Sequence, residues 1–226
     1  YHENMHQWFG DNVSEDQFRD TFWKEGWATV AEILFEARFA QRKAGGPGTP
    51  AGDRAFDQTL VHVFGEVYAA GDGFWKVAPS NPTVGSLFGG ANTYVRPAAA
   101  YVALRQILGA RAAHPAHDLW IKAMHDIQRM YGGGSITEAQ LEAVFHHRLP
   151  NQSAGCQDKL TRFFHQWFDT AYPGGGGANR PRITGPGLPG PDHFYKAGTA
   201  CAPPPGLPAP EAPVATGAGF PHVTAR

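Results

Sequence analysis

Residues 22–42 read FWKEGWATVAEILFEARFAQR, and how this stretch folds decides the architecture of the chain. Trp23, Trp27, Val30, Leu34 and Phe35 recur at three- and four-residue intervals, which predicts one apolar face of an α-helix running to about Arg42. GGPGTPAG at 45–52 then breaks it. The same spacing recurs outward along the chain. Leu60, Val63, Phe64 and Val67 mark a second helix ending by Gly71, and further helices are expected over Ala98–Leu108, Leu119–Tyr131, Glu138–His146 and Leu160–Phe168. Ser135 or Thr137 is placed to accept from the orphan amides at the start of the Glu138 helix. No segment alternates as a strand does, and there is no internal repeat. The expected fold class is mainly α.

The composition bounds the rest. With 226 residues, 42% of them hydrophobic, the chain can build one good-sized core or two small ones. A formal charge of -1 without a run of Lys or Arg argues against nucleic acid or an anionic membrane surface as partner. No stretch reaches the roughly 18 to 20 apolar residues needed to cross a bilayer, and the start lacks the pattern of a signal peptide. A chain that begins at Tyr1 without methionine reads as cut from something longer. Cys156 and Cys201 can pair in an oxidising compartment or stay as two buried thiols. The compartment is left open, with secretion favoured over the cytoplasm. Composition changes near Pro173. Residues 1–173 are expected to be helical, whereas 174–226, with GGGG, GPGLPGP and APPPGLPAPEAP, form a Pro/Gly tail too poor in large apolar residues to offset the entropy of ordering. That tail is expected to be extended or disordered, tied down, if anywhere, at His193-Phe194-Tyr195.

Chemistry concentrates at the start, in HENMH at 2–6. Residues i and i+4 of a helix share a face, so His2 and His6 can aim both imidazoles at one ion. Glu3, beside the first ligand, can take a proton from a water at the metal and hand it to a leaving group. By chance alone such an HExxH would occur in this chain with a probability of roughly one in fifty, so the motif needs a third ligand. Glu25 supplies one. Eighteen residues separate it from His6, enough for a loop and turn that bring the second helix back antiparallel. Glu32, two turns further along the same face, can accept a hydrogen bond from the far nitrogen of a ligand histidine. The ion expected is a single Zn²⁺.

Together, HENMHQWFGDNVS and FWKEGWATVAE resemble the zinc-binding signature of the gluzincin aminopeptidases, the family of membrane alanyl aminopeptidase. TYVRPAAAYVALRQILG is similar to that family's segment around a catalytic tyrosine, with Tyr94 at the tyrosine position and Ala98, Leu104-Arg105 and Leu108-Gly109 matching without a gap. Arg96-Pro97 departs from the family's usual Lys-Gly, although proline is tolerated in a first helical turn. The resemblance spans about residues 1–173: strong in the first forty, clear around Tyr94 and loose beyond.

It implies the helical part of a thermolysin-like zincin catalytic domain and a peptidase that removes N-terminal residues from peptides with a free N-terminus. His2, His6 and Glu25 would hold zinc, Glu3 would act as general base and acid, and Tyr94 would donate a hydrogen bond to the oxyanion. Family members hold the substrate amine with an upstream G-x-M-E-N segment on a β portion. Neither is present in this sequence, so the expected piece binds zinc weakly and turns over little on its own. Two other readings are a zinc-stabilised binding module with impaired catalysis and a thermolysin-type endopeptidase. Five other histidines, His114, His117, His125 and the pair His146-His147, cluster enough to suggest a second metal, but no Glu or Asp falls at a convincing ligand spacing. The Trp and Phe residues between 8 and 39 are expected to form the core beneath the metal helices, with Tyr101 beside them.

Overall fold

A computed structural model describes residues 1–69, 73–109, 118–172, 194–195 and 198–202, without the side chains of 61–69 and 73. It is mainly helical. The helices are α1 (His2–His6), α2 (Phe22–Lys43), α3 (Pro50–Ala69), α4 (Gly73–Lys76), α5 (Val95–Ile107), α6 (Leu119–Tyr131), α7 (Glu138–Arg148) and α8 (Ala154–Phe164), the last continued by a π-helical turn over His165–Asp169.

Local chemistry accounts for most of these boundaries. Asp118 caps α6 by accepting from the amides of Trp120 and Ile121. Thr137 and Gln140 form a reciprocal capping box at α7, which resolves the expected choice between Ser135 and Thr137. The helix expected near Leu60 begins ten residues earlier, at Pro50. Proline suits the first helical turn because its missing N–H has no partner there. Asp53 Oδ1 closes the preceding loop by accepting from Gly48 N and from Gln41 Nε2. Helix α8 likewise starts at Ala154, before the expected Leu160.

The expectation of no strand is overturned by one short parallel pair. β1 (Val13–Glu15) and β2 (Gly134–Ile136) align Val13 with Gly134, Ser14 with Ser135 and Glu15 with Ile136. Three residues are too few to display an alternating pattern, so neither segment announces itself in the sequence.

The core is aromatic and centres on Trp27. Its ring stacks on Tyr101 at 4.2 Å and on Phe9 at 5.0 Å, and meets Trp120 at 5.1 Å. Tyr101 is fully buried as expected, and its hydroxyl donates to the carbonyl of Trp23 at 3.3 Å. The expected core beneath α1 and α2 is present in part. Phe9, Phe22, Trp23 and Trp27 are buried, whereas Trp8, Phe18, Phe35 and Phe39 are exposed. The buried face of α2 runs through Val30, Ile33 and Ala37. Phe35 lies about 100° round the helix from Leu34, off that face, and stacks on Tyr1 at 4.0 Å.

Beyond residue 173, two short described pieces return to the helical body. Phe194 and Tyr195 are buried, the Tyr195 hydroxyl donates to Ile107 O at 2.9 Å, and Lys159 Nζ donates to Phe194 O at 2.6 Å. Cys201 is joined to Cys156 in α8 by a disulfide, and Ser153 Oγ donates to Ala200 O. The pairing left open by the sequence is thus formed. His193, His114 and His117 lie outside the described residues.

Candidate metal centre

Helix α1 is five residues long and has no buried side chain of its own, so its position is set by what clamps it. The loop after it supplies the clamps. Gly10 N bonds Val13 O, Asp11 N bonds His6 O, Gln128 Nε2 on α6 donates to Trp8 O, and Asn12 Nδ2 donates to Gln128 Oε1. Gly133 N bonds Asn12 O at 2.7 Å beside the β1–β2 pair. Gly10 adopts φ +142°, and a Cβ there would lie 3.1 Å from His6 O and 3.3 Å from His6 Nδ1. A side chain at this position would strain the backbone and press on His6.

The start of α2 is fixed from the opposite direction. Glu15, at the end of β1, accepts from Thr21 Oγ1 at 3.1 Å and pairs with Lys24 Nζ at 2.8 Å. Glu25 follows in the first turn of α2, its side chain only 8% exposed. A carboxylate so deeply buried needs partners. It has two: Oε2 lies 3.1 Å from His2 Nε2 and 3.3 Å from His6 Nε2.

His2, His6 and Glu25 therefore converge as the sequence spacing predicts, each offering a donor atom within 4.8 Å of the others. With metal–ligand bonds of about 2.0–2.1 Å, two donors on a tetrahedral zinc lie about 3.4 Å apart. The His2–Glu25 and His6–Glu25 separations, 3.1 and 3.3 Å, are close to that spacing and are also those of direct imidazole–carboxylate contacts.

The surrounding groups differ in part from expectation. Glu32 does reach His2, but at 3.8 Å from Nδ1, an ion-pair distance rather than a hydrogen bond. The nearer outer partner belongs to His6, whose Nδ1 lies 3.0 Å from the carbonyl of Phe9. A carbonyl only accepts, so that nitrogen donates and Nε2 is turned toward Glu25. This partner is a backbone atom, and no side-chain pattern could have pointed to it.

Glu3 is exposed at the rim of the site. Tyr94 directly precedes α5, with its ring 6.0 Å from that of His2. Burial, followed by the charges of Glu25 and Glu3, holds the Tyr94 phenol above its ordinary value. The phenol therefore stays protonated at neutral pH and available as a donor. The structure thus brings together His2, His6 and Glu25, with the Tyr94 ring beside His2, while Glu3 is exposed next to His2 in α1.

Arg96, the departure from the family pattern, has a structural explanation. It is fully buried and donates to Val77 O at 3.2 Å, Gln166 O at 2.8 Å and Thr170 O at 2.6 Å, with its guanidinium 4.8 Å from the Trp75 ring. It thereby fixes the start of α5, immediately after Tyr94. Pro97 lies in the first turn of the helix, where it is tolerated.

A second group of acids lies apart from these donors. Glu138, at the start of α7, is pushed up to about 8 by burial and then by Asp169, which shares a hydrogen bond with it, with Asp20 and Glu142 adding to the effect. Asp169 also accepts from Ser80 Oγ at 2.8 Å. His146 engages Glu142, Thr161 and Gln157. Among the described residues, His2, His6 and Glu25 form the one group of three or more potential ligands that meets at a point.

No protein-family model, curated protein or solved structure matches the chain.

Proposed function

We propose that this chain carries the metal centre and proton-transfer machinery of a zinc-dependent aminopeptidase, which removes N-terminal residues from peptides with a free N-terminus. The observation that supports the reading is the convergence of His2, His6 and Glu25, whose donor atoms lie within 4.8 Å of one another, with the Tyr94 ring 6.0 Å from that of His2. The finer assignment, to the helical part of a thermolysin-like zincin, belongs to the same proposal.

Zinc, when bound, supplies Lewis acidity toward a substrate carbonyl and an attacking water. His2, His6 and Glu25 would hold it, with the Phe9 carbonyl orienting the His6 imidazole and Glu32 facing His2 at ion-pair distance. The Glu3 carboxylate takes the proton of the attacking water and delivers it to the departing amine, so the residue ends in the state in which it began. Exposure at the rim leaves it free to reach both atoms. Tyr94 Oη, kept protonated by its surroundings, donates to the oxygen that gains negative charge as the carbonyl is attacked.

The Cys156–Cys201 disulfide supports an oxidising compartment and hence secretion. No described helix is long and apolar enough to cross a membrane.

The test is metal analysis of the full chain, alone and as part of any longer protein that contains it, combined with hydrolysis of aminoacyl amides carrying a free or a blocked amine. In a longer protein that supplies the upstream amine-binding part, one zinc per chain with cleavage of free-amine substrates alone is the expected result, and the chain by itself should bind zinc weakly and turn over little. Equal cleavage of blocked substrates would replace the reading by an endopeptidase, and zinc binding without turnover by a zinc-stabilised binding module.

A further inference from the structure

Helices α2 and α5 cross where Gly26, the residue after Glu25, faces Pro97, three residues after Tyr94. A Cβ on Gly26 would lie 2.6 Å from Pro97 Cβ, 2.9 Å from Tyr101 Cε2 and 3.2 Å from the Pro97 carbonyl carbon. Carbon atoms rest at about 3.5–4.0 Å, so one added methyl would open this crossing by about 1 Å. Neither helix start is free to yield elsewhere. Glu15 pins the start of α2 through Thr21 and Lys24, and Arg96 pins the start of α5 through three carbonyls. Tyr101 cannot swing aside, because it is fully buried, stacked on Trp27 and bonded to Trp23 O. The opening is therefore taken up between the two chain segments that carry Glu25 and Tyr94.

We propose that Gly26 is a positioning residue for Tyr94: by permitting this close crossing, it sets how far the phenol stands from the metal centre. Gly26 packs against Pro97 and Tyr101 and acts through the placement of α5. The proposal rests on the aminopeptidase reading above.

The test uses the full chain, with a free-amine aminoacyl p-nitroanilide as substrate and four variants: Gly26→Ala, Tyr94→Phe, the double variant, and Gly26→Ala with Pro97→Gly. A displacement of about 1 Å in a catalytic group costs on the order of 100-fold in rate. Gly26→Ala should therefore lower kcat by about that factor while leaving KM and zinc content near the parental values. The double variant should be no slower than Tyr94→Phe, because the contribution that Gly26 protects is already gone. Pro97→Gly removes the atom met at 2.6 Å but leaves Tyr101 Cε2 at 2.9 Å, so it should recover only part of the loss.

Losses that multiply in the double variant, or a Gly26→Ala protein as fast as the parent, overturn the proposal. A readout independent of turnover accompanies these. With Co²⁺ in the site and 3-fluorotyrosine at position 94, paramagnetic broadening of the fluorine signal should weaken in Gly26→Ala and return in part with Pro97→Gly. Unchanged broadening overturns the proposal even if the parent cleaves nothing. Loss of the parent's activity alone overturns only the peptidase reading. Failure to bind cobalt removes the metal centre and this inference with it.

Discussion

Removing the Cys156–Cys201 cross-link should cost the protein about 4 kcal/mol of stability while leaving the proposed metal centre intact. The two cysteines are 45 residues apart, and both are buried. Releasing a loop of that length returns to the unfolded chain an entropy equivalent to about 4 kcal/mol at 25 °C. Domains of this kind are stable by about 5–15 kcal/mol, so the loss is a large share of the total. Among the described residues, the 194–202 segment bonds to Lys159 on α8, to Asn151 and Ser153 just before it, and to Ile107 at the end of α5. Two preparations separate the cross-link from the side chains that form it: parental protein reduced in denaturant and refolded with reductant, and the Cys156→Ala/Cys201→Ala variant. Equilibrium urea unfolding should show both losing about 4 kcal/mol, with a slope slightly steeper than that of the oxidised protein because the open chain exposes more surface. Zinc stoichiometry below the transition should match the oxidised form. A loss under about 1 kcal/mol would refute the reasoning, because it would mean the unfolded chain already keeps these segments together.

Replacing Glu3 with Gln should leave zinc content and fold unchanged while lowering kcat by about 10²–10⁴-fold; turnover near the parental rate would remove Glu3 from the mechanism. Glu25→Gln should fail to retain zinc through dialysis, since the one carboxylate facing both imidazoles is gone, and metal analysis of the dialysed protein decides it. The Glu138 carboxyl, raised from about 4.5 to about 8, binds its proton more tightly folded than unfolded. Its contribution to stability is complete below about pH 4.5 and is lost as pH rises through about 8. The urea midpoint should accordingly fall between pH 5 and pH 9, and Glu138→Gln should flatten that slope; a parallel fall in the variant assigns the effect to another group.

Much of this arrangement was legible in the sequence because the signals were local and repeated. Helix α6 matches its expected bounds, Leu119–Tyr131, because a capping aspartate and a regular apolar face coincide there. His2, His6 and Glu25 were legible because a helical spacing and a loop length are enough to bring them together. The residues that hold them in place were not. The Phe9 carbonyl carries no side-chain signature, and β1 and β2 are three residues each. Gly26 carries no sign of its role in the sequence, because only the fold sets Pro97 against it. Phe35 was misassigned because a periodicity count accepts positions 34 and 35 together, whereas the packed face of α2 lies on the side of Ile33 and Ala37. The start of α3 was set too late because a run of Gly and Pro reads as loop, although Pro50 is well suited to open a helix.

The clamps on α1 also impose an order in time. A five-residue helix with no buried side chain does not persist alone, and the groups that secure its loop, Gln128, Gly133 and Ile136, are synthesised more than 120 residues after His6. At about 5–20 residues per second, the ribosome takes on the order of ten seconds to cover that distance. During that interval the two histidines are already made but lie on an unsecured segment. If the three donors hold an ion as proposed, its loading would wait until the helical body has closed around α6 and α7, because before then the site is incomplete.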